Sequence, residues 1–456
     1  VGSKPIILPG KKKVSIDLLF FYLSLMKFPI SALTRISSWQ WFQLLRYGSV
    51  IATNILLTKN LVSAKEIGWV ETLFLIGSIG STFWVSGAMQ GLLSTYRPKE
   101  KTSLLFNVWI AVTSISILSA TAIGLWFHSE INNNISDISA LVPWYLIFLI
   151  FNNPSFLSEY VLMIRDENKK LVGYGIFSYS LQMIAMVLPL MLGTSLEVSF
   201  QLLAVLGILK FIFTTGIVFQ LSVIAFNGSL FIQFIRTCIP LSGAILLSGY
   251  APYIDGIIIR HFFDDATFAI FSYGARELPI ALVLANAFSE SYVKRITNEG
   301  ASSANLSLQD ETKRLSMILF PLTGLLILLS PTLFPILFND DFTASASIFN
   351  IYLLLLIPRM LFPQSVVIAK GKQHVILISA TIELILNISI SLLLLPVLGI
   401  TGVAWGTFIA YLADKLFLTW HVTKQMKQSV HCITHWKSWI VGSTFILMMY
   451  LITIFA

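Results

Sequence analysis

Charge is scarce in this chain. Only 11% of its 456 residues are Asp, Glu, Lys or Arg, against roughly 25% in soluble domains. With 56% hydrophobic residues and a mean hydropathy of +0.82, that shortage excludes a soluble globular protein. Acid is scarcer than base, and the formal net charge is +8. In a soluble protein such an excess would point to nucleic acid. In a chain this apolar it points to loops lying beside anionic lipid, and no nucleic-acid partner is expected. Cysteine is nearly absent. Cys238 and Cys432 fall in or beside segments read as cytoplasmic, so no disulfide is expected. No signal peptide is evident, because the first ten residues are polar and rich in Pro and Gly.

Catalytic and metal signatures are missing as well. There is no Gly-rich phosphate loop, no strand–turn–helix nucleophile and no cysteine pair at metal spacing. His431 and His435 stand one helical turn apart, but no acidic third ligand is near them. They read as a solvated or lipid-facing stretch, so no metal and no cofactor is expected. Loops are short throughout. The longest, expected from about Ser291 to Arg314, is Ser/Asn/Glu-rich and holds far fewer than the roughly 50 residues of a soluble domain. A membrane glycosyltransferase or polymerase would want a large extracytoplasmic loop carrying acids or His. None is visible, and no enzyme is expected.

What the sequence does have is long apolar runs of roughly 20 residues, each enough to cross a core of about 30 Å. A transmembrane barrel would instead show short alternating segments. Thirteen helical spans are expected near 42–58, 68–94, 104–126, 141–163, 171–192, 198–222, 237–259, 266–290, 315–337, 344–368, 374–396, 402–423 and 438–456. Residues 1–40 carry Lys11-Lys12-Lys13 ahead of an interrupted apolar run. They read as an interfacial cytoplasmic segment, with Trp39, Trp41 and Phe42 as an interface anchor. With the N-terminus inside, the inside segments hold 23 Lys and Arg and the outside loops 3, a strong positive-inside asymmetry.

The halves repeat. Arg46-Tyr-Gly-Ser matches Arg236-Thr-Cys-Ile at an offset of 190, and Gly68-Trp-Val-Glu matches Phe268-Ala-Ile-Phe at 200. Val161-Leu-Met-Ile-Arg-Asp matches Val366-Val-Ile-Ala-Lys-Gly at 205, each followed by a span ending in Pro189…Gly193 or Pro396…Gly399. Six spans per copy make the repeat parallel, with a pseudo-two-fold axis along the membrane normal. Parallel repeats of this kind are characteristic of alternating-access transporters. The expected fold is therefore all-α and polytopic: two six-helix bundles plus one extra C-terminal helix. The expected divisions are 1–40, 41–225, 226–425 and 426–456.

Ionisable groups at membrane depth are costly and default to a functional hypothesis. The stretch from Arg236 to Arg295 keeps Asp255, Arg276 and Glu277 within apolar runs. Arg276 lies about ten residues into its span, roughly 15 Å deep at 1.5 Å per residue. A guanidinium binds phosphate oxygens in a fork and stays charged. Arg276 is thus either a phosphate ligand or a structural cation paired with an acid. Glu277 sits about 100° round the helix and pairs poorly with it. Arg46 and Arg236 either snorkel to the interface or meet an anion at the cytoplasmic mouth. Lys210, Arg359, Glu383, Asp414 and Lys415 read as structural or second-site.

Several motifs carry a family resemblance: Lys65-Glu-Ile-Gly68-Trp, Gly80-Ser, Gly87, Ile164-Arg-Asp-Glu-Asn-Lys, Pro240-Leu-Ser, Phe271-Ser-Tyr-Gly-Ala-Arg276-Glu-Leu-Pro279 and Leu398-Gly-Ile-Thr-Gly-Val-Ala-Trp-Gly406. Across roughly residues 41–425 the chain resembles the Wzx-type polysaccharide flippases of the MATE-like superfamily. The resemblance implies a monomeric flippase in the inner membrane of a bacterium, moving a lipid-linked oligosaccharide outward through a central cavity lined by the second span of each half. It places Arg276 and Glu277 at the cavity, with Arg46 and Asp255 as further substrate-binding candidates. Asp255 and Glu277 are candidates for coupling to Na+ or H+. The alternatives are a lipid II flippase and a cation-coupled multidrug exporter of the same superfamily. A cavity Arg argues against cationic drugs.

Overall fold

The computed structural model describes residues 38–59, 61–96, 102–131, 138–248, 251–299 and 301–455. The expected interfacial segment over 1–40 lies, up to residue 37, outside them. Among the described residues every regular element is helical. Eight helices are long and apolar enough to cross a membrane, or ten if each of two bent pairs is one span. Thirteen were expected. The remaining expected spans, near 42–58, 237–259 and 402–423, are helical over their described residues and hold Arg46, Asp255, Asp414 and Lys415.

Two compact units divide the chain, Ile36–Ala269 and Ile270–Ala456. The first contains α1 (Ser38–Thr58), α2 (Ala64–Thr95), α3 (Leu104–Ile131), α4 (Val142–Ile164), α5 (Asn168–Met191), α6 (Leu196–Leu221), α7 (Gly228–Ser248) and α8 (Ala251–Phe262). The start of α2 is fixed by a capping box: the Ser63 hydroxyl accepts from the Glu66 amide, and the Glu66 carboxylate accepts from the Ser63 amide at 2.8 Å. Such reciprocal capping satisfies two of the amides that open a helix. Aromatic packing sets α1 on α5, with Phe42 wholly buried between Trp39 and Tyr179. On the outer faces, Phe177 and Ile212 are 67% and 60% exposed. Apolar side chains in that position suit lipid as the surrounding solvent.

The second unit begins within α9 (Asp265–Gly274) and holds α10 (Pro279–Glu299), α11 (Ala301–Leu337), α12 (Ser345–Leu354), α13 (Leu356–Arg359), α14 (Pro363–Ala369), α15 (Gln373–Leu398), α16 (Ile400–Trp420) and α17 (Trp436–Phe455). Small residues let these helices approach closely, as membrane helix pairs require. A Cβ on Gly402 would stand 2.6 Å from the Leu394 carbonyl oxygen of α15. The expected loop from Ser291 to Arg314 is instead helical on both sides of residue 300, and Arg295 bridges to Glu311 at 2.7 Å. The Ser, Asn and Glu that suggested a loop there are tolerated in an amphipathic helix end.

The repeat is visible in the backbone. Asp166 (φ 56°) and Gly371 (φ 70°), 205 residues apart, make the same left-handed turn between α4 and α5 and between α14 and α15. Gly193 (φ 77°) and Gly399 (φ 60°) share a positive φ at the next turn. Glycine enters this region without steric cost, and Asp is among the few other residues that tolerate it.

Candidate functional site

Two expected spans are broken. The run read as 266–290 bends by 52° between α9 and α10, and the run read as 344–368 bends by 46° between α13 and α14. Proline accounts for both. Pro279 and Pro363 lack an amide and disfavour helical geometry in the residue before them, so each starts a helix rather than continuing one. Gly274, at the end of α9, packs so closely that a Cβ there would stand 2.5 Å from the Ser345 carbonyl oxygen.

Irregular backbone at membrane depth survives only where protein or a polar cavity satisfies it. The segment over 426–456 does this for the second break. Trp439 donates from Nε1 to the Ile357 carbonyl at 2.8 Å, and the Phe362 amide donates to the Ile433 carbonyl at 3.1 Å. Tyr292 of α10 donates to the Cys432 carbonyl at 2.9 Å, so the same link also holds α10. The thirteenth helix, for which the sequence offered no role, thus braces a discontinuous span. Cys432 and Cys238 are both free and buried.

Arg276 and Glu277 sit in the first break, not in a continuous helix. Arg276 donates from Nε to the Ser272 carbonyl at 3.1 Å, and its guanidinium lies 5.4 Å from the centre of the Tyr273 ring. Glu277 forms an ion pair with Arg359, the last residue of α13 at the other break. One ion pair therefore joins two discontinuities. Arg359 also lies 5.4 Å from the Tyr411 ring of α16, and Lys415, one turn further along that helix, lies 4.8 Å from the same ring. Lys415 bonds to Asp414 at 2.9 Å and to Gln364 at 3.2 Å, while Ser379 donates to Asp414. Glu383, on α15 with Ser379, interacts electrostatically with Asp414, Lys415, Arg359 and Glu277. Asp414 and Lys415 are sequence neighbours, about 100° apart round a helix. The Lys415 chain is long enough to fold back onto the adjacent carboxylate, and the two pair.

The first unit has its own charge cluster. Arg46 is not at the end of α1 but nine residues in, because the helix begins at Ser38. Instead of snorkelling, its guanidinium lies 4.9 Å from the Phe156 ring and interacts with Glu159. Glu159 is 1% exposed, accepts from the Tyr179 hydroxyl at 3.0 Å, and interacts with Lys210. Lys210 donates to Asn152 at 2.7 Å. Asp255, on α8, is 1% exposed in this same unit. The structure thus brings Glu277 to Arg359 and Arg46 to Glu159, partners that the sequence reading did not assign.

Glu159, near the end of its expected span, was not among the residues the sequence singled out. A repeat signal was available: Lys210 and Lys415 stand 205 residues apart, the offset that relates Val161 to Val366. Glu159 and Gln364, each beside the lysine cluster of its own unit, share that offset.

The family model for the lipid II flippase MurJ matches residues 169–456. A solved structure of a lipid II flippase MurJ in an inward closed conformation is 18% identical, with a TM-score of 0.67 and 91% of each chain covered. A mutant of the Vibrio cholerae MATE transporter VcmN is 14% identical, with a TM-score of 0.57, covering 92% of this chain and 99% of that one. An outward-facing multidrug resistance MATE transporter is 13% identical, with a TM-score of 0.55 and coverages of 95% and 98%. No curated protein matches the chain in sequence. The matching family is a different branch from the Wzx-type exporters that the motifs resemble. The motif glycines explain the difference. Gly87 faces Ser242 and Gly406 faces Ser391 at helix crossings. Such residues specify how the helices pack and carry no information about substrate.

Proposed function

The chain belongs to the lipid II flippase MurJ family, whose model it matches over 169–456, and on that premise we propose that it moves a polyprenyl-pyrophosphate-linked glycan of the lipid II class between leaflets by alternating access. The family is one of transporters, not enzymes. Arg276 is the residue proposed to hold the pyrophosphate. The observation that carries this role is its place in a broken span: discontinuous helices are where membrane transporters build sites from irregular backbone and charge. Glu277, the carboxylate next to it, pairs with Arg359, while Arg276 itself donates to the Ser272 carbonyl and lies against the Tyr273 ring.

Arg46, sharing Glu159 with Lys210, is proposed to contribute from the first unit. The Asp255 and Glu277 carboxylates remain the proposed groups for coupling to Na+ or H+. Glu277 would have to exchange Arg359 for the coupling ion. The loop charges support an N-terminus on the cytoplasmic side of a bacterial inner membrane, and we propose a monomer as the working unit.

The discriminating experiment uses proteoliposomes of the full chain with fluorescent lipid II in one set and a polyprenyl-pyrophosphate-linked oligosaccharide lacking the peptide in the other. Flipping of lipid II in preference supports the reading. Preference for the second substrate returns the chain to a polysaccharide-export role, and flipping of neither refutes both.

A further inference from the structure

A cavity of about 700 Å³ opens in the first unit, between α5 and α6 and beneath the turn after α4. Its walls change character from one end to the other. At the mouth stand Arg165 and Lys170, with Glu167 between them at 2.9 and 2.7 Å. One carboxylate is shared by two cations, so the mouth keeps a net positive charge, and the Lys170 side chain is 74% exposed. The Glu167 carboxyl, bonded by Lys170 and Arg165, is held below the usual range and stays ionised. Further in, the cavity is lined by Tyr174 and Ser178 of α5. They lie roughly 9 and 15 Å along that helix at 1.5 Å per residue. Ser178 is 1% exposed, and the Tyr174 hydroxyl lies among the Ser155, Ser158 and Ser178 hydroxyls, with neither it nor Ser178 in a hydrogen bond of normal geometry. The remaining wall is apolar, and Phe177, Leu209 and Phe213 are each about half exposed or more.

Buried hydroxyls are ordinarily bonded, and each exception requires an explanation. Here the residues that carry them border an open groove, between a basic mouth and an apolar wall, and a turn of each hydroxyl about its own side chain would bring it to the groove. That order of chemistries matches one molecule of the surrounding bilayer. A phospholipid presents a phosphate, then ester carbonyls that accept hydrogen bonds, then acyl chains. We infer that this groove holds one anionic phospholipid, its phosphate at Arg165 and Lys170, its ester carbonyls at Tyr174 and Ser178, and one acyl chain against Phe177, Leu209 and Phe213. The anionic class follows from the charge of the mouth. A zwitterionic headgroup would bring its own cation against Arg165 and Lys170, whereas the phosphate of an anionic lipid competes with Glu167 for both. The site is independent of the transported substrate and does not rest on the flippase reading. The lysine at its floor, Lys210, belongs to the Arg46 cluster, so an occupied groove packs against that cluster.

The test is native mass spectrometry of the full chain in detergent, titrated separately with phosphatidylglycerol and with phosphatidylcholine of the same acyl chains. The expected result is one retained phosphatidylglycerol, held about tenfold more tightly than phosphatidylcholine. Arg165→Gln/Lys170→Gln, at a partly exposed turn, is expected to abolish that preference. Leu209→Trp, which fills the apolar end and leaves the mouth intact, is expected to weaken retention of both lipids. A control of equal charge loss elsewhere, Lys424→Gln/Lys427→Gln, is expected to change nothing. Equal retention of the two lipids by the unaltered chain overturns the inference. So does retention indifferent to both groove variants, or a control that loses as much as Arg165→Gln/Lys170→Gln.

Discussion

Removing Arg359 tests whether one ion pair holds the two breaks together. Arg359→Met keeps most of the side-chain volume and deletes the charge. It leaves Glu277 without its cation in a segment that lacks helical hydrogen bonds. Breaking a fully buried pair from one side costs about 3–5 kcal/mol. The Arg359 and Glu277 side chains are 15% and 25% exposed, so water softens the penalty, and about 2–3 kcal/mol is expected. The reverse change is milder. Glu277→Gln leaves Arg359 over the Tyr411 ring and within the field of Glu383, and about 1 kcal/mol is expected. The double variant removes both charges and is expected to cost less than the sum of the two single changes, with a coupling of about 1–2 kcal/mol. Reversible unfolding in detergent gives all four corners of this cycle. Additive losses, or an equal cost for the two single changes, would refute the reasoning that the pair is the link and Arg359 has the better fallback.

Trp439→Phe removes the donor to the Ile357 carbonyl and is expected to destabilise by about 1–2 kcal/mol, read from the detergent melting temperature; an unchanged melt would mean that α17 does not brace the second break. Asp264 accepts from the Thr267 amide at 2.9 Å, and the Thr267 hydroxyl and amide hold its carboxyl below the usual carboxylate range. Its contribution is therefore full above the ordinary carboxylate pKa and fades as the pH falls through the lowered one. Asp264→Ala is expected to cost about 1 kcal/mol at pH 7 and progressively less as the pH falls below the ordinary carboxylate range, and a cost independent of pH would contradict the cap. Gly406→Val places a branched side chain where Gly406 meets Ser391, and is expected to abolish folded expression, whereas Ser391→Ala is expected to be tolerated.

Much of the fold was legible because membrane helices announce themselves by length and loop charge. Apolar runs placed α2 to α6, α11, α15 and α17 within a few residues of their observed ends, apart from the N-terminal extension of α11. The repeat was legible where the chain must turn sharply, at Asp166 and Gly371 and at Gly193 and Gly399, since left-handed turns restrict residue type. The breaks were not legible. Pro279 and Pro363 were in view, but proline also occurs inside continuous helices here, as Pro154 and Pro189 show. The interruption depends on tertiary partners such as Trp439 and Ile433 that no local pattern reveals.

The charge clusters were illegible for a related reason. Arg276 drew attention because it sits deep in an apolar run beside Glu277. The pairings of Glu277 with Arg359, and of Arg46 and Lys210 with Glu159, join residues far apart in sequence. Helical spacing within one span cannot reach them. The resemblance pointed to a different branch from the family that matches because motif residues such as Gly87 and Gly406 stand at helix crossings, where packing and not substrate sets the residue.

The central claim is that Arg276 handles the pyrophosphate of a lipid-linked glycan. Its most direct test is lipid II flipping in proteoliposomes by the unaltered chain, by Arg276→Lys and by Arg276→Gln, with folding verified by unchanged melting. A guanidinium fork predicts partial transport with Lys and a loss of about tenfold or more with Gln, in line with the roughly 1.5–3 kcal/mol of a charge-assisted hydrogen bond. Undiminished flipping by Arg276→Gln would contradict the account.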